Sequence, residues 1–311
     1  MELDATPEAR LTRARASLEG LSVGDTFGDQ FFEIAQASLP YYFETRTLPT
    51  ADPFWRYSDD TNMALSVYAT LNQHQTINQD TLATSFAKYY HPSRGYGSSM
   101  HGLLNRIALG MNWRHEASKL FEGQGSHGNG AAMRVAPLGA YFADDMDLVI
   151  EQAKLSAEIT HTNPEGIAGA IAVAVAAAYA CRLKGQPAPT RQEFIDIVLP
   201  HIPNSIVSER LRHARELTEG STLLLAVAAL GNGRMISAQD TVPFDLWCAG
   251  ETLSNYTDAM WLAAAASGDI DTNCAIVGGI VACYMGMEGI PAQWIKRRES
   301  LPSWAFEEIS I

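Results

Sequence analysis

The chain has 311 residues, 47% hydrophobic and 18% charged, which is enough apolar material to bury a large core and too much for a disordered polymer. Its formal net charge is -13, from 35 acidic against 22 basic residues, so no broad basic face is expected for a phosphate backbone and nucleic acid is excluded as an expected partner. Cys181, Cys248, Cys274 and Cys283 form no CxxC pair and no zinc-type Cys/His cluster, and read as reduced core residues.

In chain order, MELDATPEAR lacks the basic and apolar regions of a signal peptide, which predicts a cytoplasmic protein. In VGDTFGDQFFE (23–33), glycines interrupt a helical pattern that ends at Glu33 among aromatics. Gly24 and Gly28, four apart, allow either close approach of a ligand or backbone to one helix face, or simply tight helix packing. Glu33, beside Phe31 and Phe32, would have the raised pKa of a catalytic base if partly buried; solvation at the surface is the plain alternative. LPYYFETRTLPTADPFW (39–55) reads as a loop. Next, Met63, Leu65, Val67, Tyr68 and Leu71, then Leu82, Phe86 and Tyr89, carry helical spacing.

HPSRGYGSS (91–99), GQGSHGNG (123–130) and KGQPAPT (184–190) read as further loops. The glycine-rich loop offers backbone N–H groups free of side chains, as a phosphate or ribose cradle would, but it matches neither Walker A nor GxGxxG and is equally an ordinary loop. His161 precedes an Asn-Pro turn and the apolar run 167–180. At 14 residues that run falls short of the roughly 20 needed for a bilayer span, so a buried helix and no membrane association are expected. Ala-rich stretches at 167–185, 221–231 and 258–268 each end at a glycine suited to a C-terminal cap. With no convincing strand, repeat or domain linker, the expectation is one all-α domain over 1–311, a compact multi-helix bundle.

Two acidic turns stand out. YSDDTNM (57–63) supplies Ser58, Asp59 and Asp60; ASGDIDTN (266–273), about 210 residues later, supplies Asp269, Asp271 and Thr272. Each precedes a helical apolar pattern, so each also fits a helix N-cap. Together they offer four carboxylates and two hydroxyls, hard oxygen donors that suit Mg²⁺ or Mn²⁺, and the number of acids suggests two ions.

Taken together and in order, VGDTFGDQFFE, YSDDTNM, GNGAAMRVAPLG, ITHTNPEGIAGA, TVPFDLW and SGDIDTN resemble the ADP-ribosylglycohydrolase family, whose members include dinitrogenase reductase-activating glycohydrolase and the ADP-ribosyl-acceptor hydrolases. The resemblance spans about residues 18–295. It implies the family's all-α bundle and a binuclear Mg²⁺ or Mn²⁺ site, with metal ligands at Ser58, Asp59, Asp60, Asp269, Asp271 and Thr272. It implies a catalytic or metal-associated glutamate at Glu33, ADP-ribose contacts at Gly128, Asn129, Gly130, Ala131 and Met133, and a substrate-side histidine at His161. Ser58 stands where many members have threonine, and Ser267 where many have glycine.

The activity implied is hydrolysis of the glycosidic bond between ADP-ribose and a modified acceptor, such as an arginine or serine side chain or a small molecule, with release of ADP-ribose. In that reading Glu33, Asp60 or Asp271 removes a proton from the attacking water. A non-catalytic ADP-ribose-binding member and a two-metal phosphohydrolase acting on the pyrophosphate are the alternatives. A monomer is expected, and no protein partner other than a substrate.

Overall fold

The computed structural model describes residues 3–49 and 54–307. Sixteen α-helices and no β-strand occur among them: α1 Pro7–Asp29, α2 Leu39–Thr45, α3 Asp59–His74, α4 Gln79–Lys88, α5 Ser98–Ala108, α6 Trp113–Ser118, α7 Ala136–Tyr141, α8 Met146–Glu158, α9 Pro164–Leu183, α10 Arg191–Val198, α11 Ile206–Glu216, α12 Leu223–Leu230, α13 Ala238–Thr252, α14 Tyr256–Ala265, α15 Ile270–Met285 and α16 Ala292–Arg297. The all-α expectation is met.

α1 and α15 form the spine that positions the site. Gly20, Gly24 and Gly28 repeat every fourth residue, so they share one face of α1. That face lies directly on the α15 backbone: a Cβ added at Gly28 would sit 2.6 Å from Asp271 Cα and from Ile270 O, and Cβ atoms at Gly24 and Gly20 would strike the backbone at Cys274 and Gly278. Of the two readings open for these glycines, helix packing is the one observed. α15 returns the arrangement, since Gly278 brings α1 close at Gly20 O. Ser17 Oγ donates to Gly279 O at 2.9 Å across the same seam.

α9 is apolar on all sides and is buried by its neighbours α7, α8, α13 and α15. It runs longer than the apolar core read from the sequence. Pro164 starts it in the first turn, where a missing N–H costs nothing, and Asn163 caps it through Glu165 N at 3.0 Å. Its 20 residues are long and apolar enough to cross a bilayer by length and composition, so the argument from a 14-residue run does not hold; its burial among other helices accounts for its composition instead.

The four cysteines are free and buried. Gly231 is the C-cap residue of α12 at φ 93°, a positive φ that suits glycine, whereas Gly185 and Gly268 lie one and two residues beyond their helices' caps. The stretch 39–55 is a correction. It contains α2, because Pro40 occupies the first turn, where it is tolerated, and Leu39 anchors the helix in the core. Residues 50–53 of that stretch lie outside the described residues.

Candidate active site

The site forms where three helices converge. Asp25 lies on α1, one turn before Gly28, and is fully buried. Its carboxylate accepts Ser58 N (3.0 and 3.1 Å), Thr61 N (3.1 Å) and the Thr61 hydroxyl. It therefore binds the first N–H groups of α3, which a helix leaves without internal partners, and holds that helix end against α1. Ser58 is the N-cap of α3, its Oγ accepting Asp60 N at 3.2 Å. Asp59 and Asp60 occupy the first turn, and the Asp59 N–H donates to Arg94 O at 2.7 Å.

From the other side, the start of α15 brings Asp269, Asp271 and Thr272. Thr272 Oγ1 donates to Asp60 Oδ1 at 3.3 Å, closing a sequence gap of 212 residues. Asp25, Asp60 and Asp271 each present an oxygen within 4.8 Å of the other two. Asp269 sits at the N-cap position of α15 but makes no cap hydrogen bond; its Oδ2 accepts the Asn129 side-chain N–H at 2.7 Å. Asn129 Nδ2 also donates to Thr241 Oγ1 at 3.1 Å, which ties the glycine loop to α13.

Burial and mutual repulsion dominate the electrostatics of these acids. Burial pushes the Asp25 carboxyl up to about 7, against the pull of its Thr61 and Ser58 hydrogen bonds. Burial and then Asp25 push Asp59 up to about 8. Asp60 and Asp271 are raised well above the ordinary carboxylate range, by burial first and then by each other's cluster of acids: Asp271 for Asp60, Asp269 for Asp271. Burial also raises Asp269. No Lys, Arg or His pairs with any of these five carboxylates among the described residues. Asp60 Oδ2 is buried with no hydrogen-bond partner at all. Buried like charges without partners are costly, and hard oxygen donors in this number fit divalent cations.

The acids form the floor of a cavity of about 330 Å³. One wall is the glycine loop with His161. Gly128 and Gly130 have no side chains where the His161 ring lies: a Cβ at either would come within 3.2 Å of Nε2. Gly125 (φ 73°) fits closely under Thr162, and Asn163 Nδ2 donates to Gln124 O at 3.1 Å, so the 123–130 and 159–166 segments are one unit. The opposite wall is Gly95, Gly97, Ser98, Ser99 and Met100. Phe121, Met235 and Ile236, each more than half exposed, form an apolar rim.

Of the residues singled out from sequence, Asp59, Asp60, Asp269, Asp271, Thr272, Gly128, Asn129, Gly130, Met133 and His161 all line this cavity. Ser58 is buried directly behind it as the α3 cap. Two do not join them. Ala131 ends the one-turn helix Asn129–Ala131 and packs into the core beneath the loop. Glu33 is exposed and outside the cavity lining. The cause is Phe31, which is buried against Phe27 (5.5 Å), Phe43 (5.0 Å) and Trp261 (6.0 Å). That anchor turns the chain after α1 and leaves Phe32 and Glu33 facing solvent. Sequence reasoning passed over Asp25, Ser126, His127, Phe121, Met235 and Ile236. Asp25, Ser126 and His127 lie inside segments already marked; the apolar rim carries no sequence signal, since Phe121 (φ 52°) and Ile236 (φ 50°) are placed by left-handed backbone.

An all-helical fold with a buried acidic centre, floored by the ends of two distant helices under a glycine-lined cleft, defines the class as a carboxylate-centred hydrolase. Residues 6–309 match the family model for ADP-ribosylglycohydrolase, and the chain belongs to that family. It is 30% identical to ADP-ribosylhydrolase ARH3 of Xenopus tropicalis, with 92% of this chain and 91% of the relative covered. It is 28% identical to the Homo sapiens ADP-ribosylhydrolase ARH3, covering 91% and 88%. It is 23% identical to ADP-ribosylarginine hydrolase Tri1 of Pseudomonas putida, covering 94% and 76%. A solved structure described as an ADP-ribosylglycohydrolase-related protein complex shares the fold, with TM-score 0.67, 24% identity and 93% of each chain covered.

Proposed function

We propose that this enzyme hydrolyses the glycosidic bond linking the terminal ribose of ADP-ribose to a modified acceptor, an arginine or serine side chain, and releases intact ADP-ribose. The observation that carries this reading is the convergence of Asp25, Asp60 and Asp271 beneath a cleft walled by Gly128, Gly130 and His161. Ser58, Asp59, Asp60, Asp269, Asp271 and Thr272 would hold two divalent cations, Mg²⁺ or Mn²⁺, which when bound supply Lewis acidity and a water of lowered pKa. Asp60 and Asp271 line the cavity, and in this reading one of them takes a proton from the attacking water. Glu33, exposed and outside the cavity lining in this structure, would serve as the base only after the chain that follows α1 moved toward the cavity.

The remaining walls supply binding. Phe121, Met235 and Ile236 offer an apolar place for an adenine base, whose flat face stacks on aromatic and aliphatic side chains. His161 and the glycine loop face the polar middle of the ligand. The chain's net charge of -13 repels a pyrophosphate at long range, so affinity would depend on local compensation by the glycine loop's N–H groups and by cations held at the acidic floor.

The test is release of free ADP-ribose from matched arginine-linked and serine-linked peptides with Mg²⁺, with Mn²⁺ and with EDTA. Cation-dependent release from either peptide supports the reading and assigns the acceptor class. Formation of AMP and a phosphoribosyl-peptide would instead make it a phosphohydrolase, and binding of ADP-ribose without turnover of either peptide would make it a binding member.

A further inference from the structure

Arg134 is fully buried and has no carboxylate partner. It lies just past the glycine loop, its guanidinium over the Phe86 ring at 4.5 Å. Nη2 donates to Ser156 O at 3.0 Å and to Thr160 Oγ1 at 2.9 Å; Nη1 points to Met63 Sδ at 3.6 Å. A buried cation is expensive even with the negative charge of Asp59 acting on it from a distance, and its hydrogen bonds reach the segment that carries His161.

A guanidinium can only donate, so Thr160 Oγ1 accepts from Arg134. The other polar neighbour of Thr160 Oγ1 is His161 Nδ1, at 2.7 Å. Thr160 is fully buried, and its hydroxyl proton has no other acceptor among the hydrogen bonds of the described residues. Leaving that proton unpaired would cost a full desolvation penalty, so Thr160 donates to Nδ1. A neutral imidazole that accepts at Nδ1 carries its proton on Nε2. Nε2 makes no hydrogen bond within the described protein, and it is the ring atom that faces Gly128 and Gly130 at the cavity wall.

We infer that Arg134, acting through Thr160, fixes His161 as the neutral Nε2–H tautomer and so makes it a hydrogen-bond donor to an acceptor oxygen of the bound ligand. Arg134 and Thr160 are positioning residues; only His161 touches the ligand. Burial and then the Arg134 charge push the imidazole pKa down to about 3, so the donor is uncharged throughout the range in which the enzyme would work. The ligand's identity as ADP-ribose rests on the function proposed above; the tautomer does not.

The experiment uses the full-length ¹⁵N-labelled protein with Mg²⁺. Long-range ¹H–¹⁵N correlations of the histidine rings, with His161→Gln to assign the signal, read the tautomer directly. The expected result is a neutral Nε2–H ring in the wild type from pH 5 to pH 8. Thr160→Val, which removes the hydroxyl at constant shape, should release the tautomer into a mixture and weaken ADP-ribose binding about twofold for an even mixture, because only the Nε2–H fraction can donate to the ligand. Thr160→Ser should restore both. An Nδ1–H ring in the wild type overturns the inference without any variant, and unchanged ADP-ribose affinity in Thr160→Val overturns the donor role. If the wild type fails to bind ADP-ribose, the functional reading falls and the wild-type tautomer alone decides this one.

Discussion

Gly28→Ala tests the link between packing and chemistry at one atom. The added methyl would lie 2.6 Å from Asp271 Cα and from Ile270 O, where an ordinary contact begins at 3.4 Å. Both obstacles are backbone, so relief requires α1 and the start of α15 to part by roughly 0.8 Å. Overpacking of this kind costs about 1–3 kcal/mol, partly offset by the 0.5–1 kcal/mol that alanine gains over glycine in a helix. The net loss of about 1–2 kcal/mol should lower Tm by about 1.5–3 °C in a chain of this size. Activity should fall further than stability suggests, about 10- to 100-fold in kcat, because the displaced residue is Asp271 and a misplacement near 1 Å can cost two orders of magnitude. Gly102→Ala is the control: its methyl meets only the mobile end of Arg106, and it should stabilise α5 by up to about 1 kcal/mol. Thermal unfolding and ADP-ribose release are measured on both. A Gly28→Ala protein as stable and as active as the wild type would refute the backbone contact and the positioning argument with it.

Asp60→Asn should reduce ADP-ribose release by more than about 100-fold, while in EDTA its Tm equals or exceeds that of the wild type, because a neutral isostere removes a buried like-charge neighbour of Asp25, Asp59 and Asp271. The pH dependence of the cation-free protein follows from raised carboxyls: Asp25 at about 7 and Asp59 at about 8 in the fold, against 3.8 in the unfolded chain. Between those values the folded state holds the extra protons, so stability falls as pH rises, by at most about 1.4 kcal/mol per group per pH unit. Differential scanning calorimetry in EDTA should therefore show a lower Tm at pH 8 than at pH 5, and Mg²⁺ should raise Tm more at pH 8; a Tm that climbs with pH in EDTA would contradict the electrostatics. Ser267→Gly should stabilise by about 0.5–1 kcal/mol in urea unfolding, since Ser267 holds φ 58° in the turn before Asp269 and glycine adopts that region without strain; an unchanged midpoint would show that the position is not strained.

What could be read from the sequence depended on whether a residue's role was local. The two acidic turns were legible because Ser58 to Asp60 and Asp269 to Thr272 put several oxygen donors side by side before apolar helical patterns. Asp25 was not, although its segment was marked, because its role exists only through Ser58 and Thr61, more than thirty residues away. The same segment ends at Glu33, which the structure leaves exposed. Flanking aromatics suggested burial, but Phe31 alone took the buried position and turned its neighbours outward. Ala131 shared a loop with Gly130, yet a single 3₁₀ turn was enough to send it into the core. Helical pattern or composition was legible for α1, α3, α4, α9, α12, α14 and α15; the remaining helices were not legible in this way, and α2 was hidden because Pro40 read as a breaker although a first-turn proline is compatible with a helix.

The acidic turns were open to a purely structural reading as helix caps, and the geometry separates the two roles. Capping needs one side-chain oxygen per helix start. At α3, Ser58 supplies it, and Asp25 takes further N–H groups from α1; Asp60 Oδ2 is left buried with nothing to accept. At α15, Asp269 stands in the cap position without capping, its carboxylate held instead by Asn129 from the glycine loop. A set of caps would not keep five carboxyls above their ordinary pKa in a site with no paired base, since every one of them subtracts stability as it ionises. Selection for folding alone would favour serine or asparagine at these positions, which cap as well and carry no charge. Capping therefore does not account for the excess acids, and the close α1–α15 contact at Gly20, Gly24 and Gly28 is what brings Asp25 of α1 within 4.8 Å of Asp271 of α15.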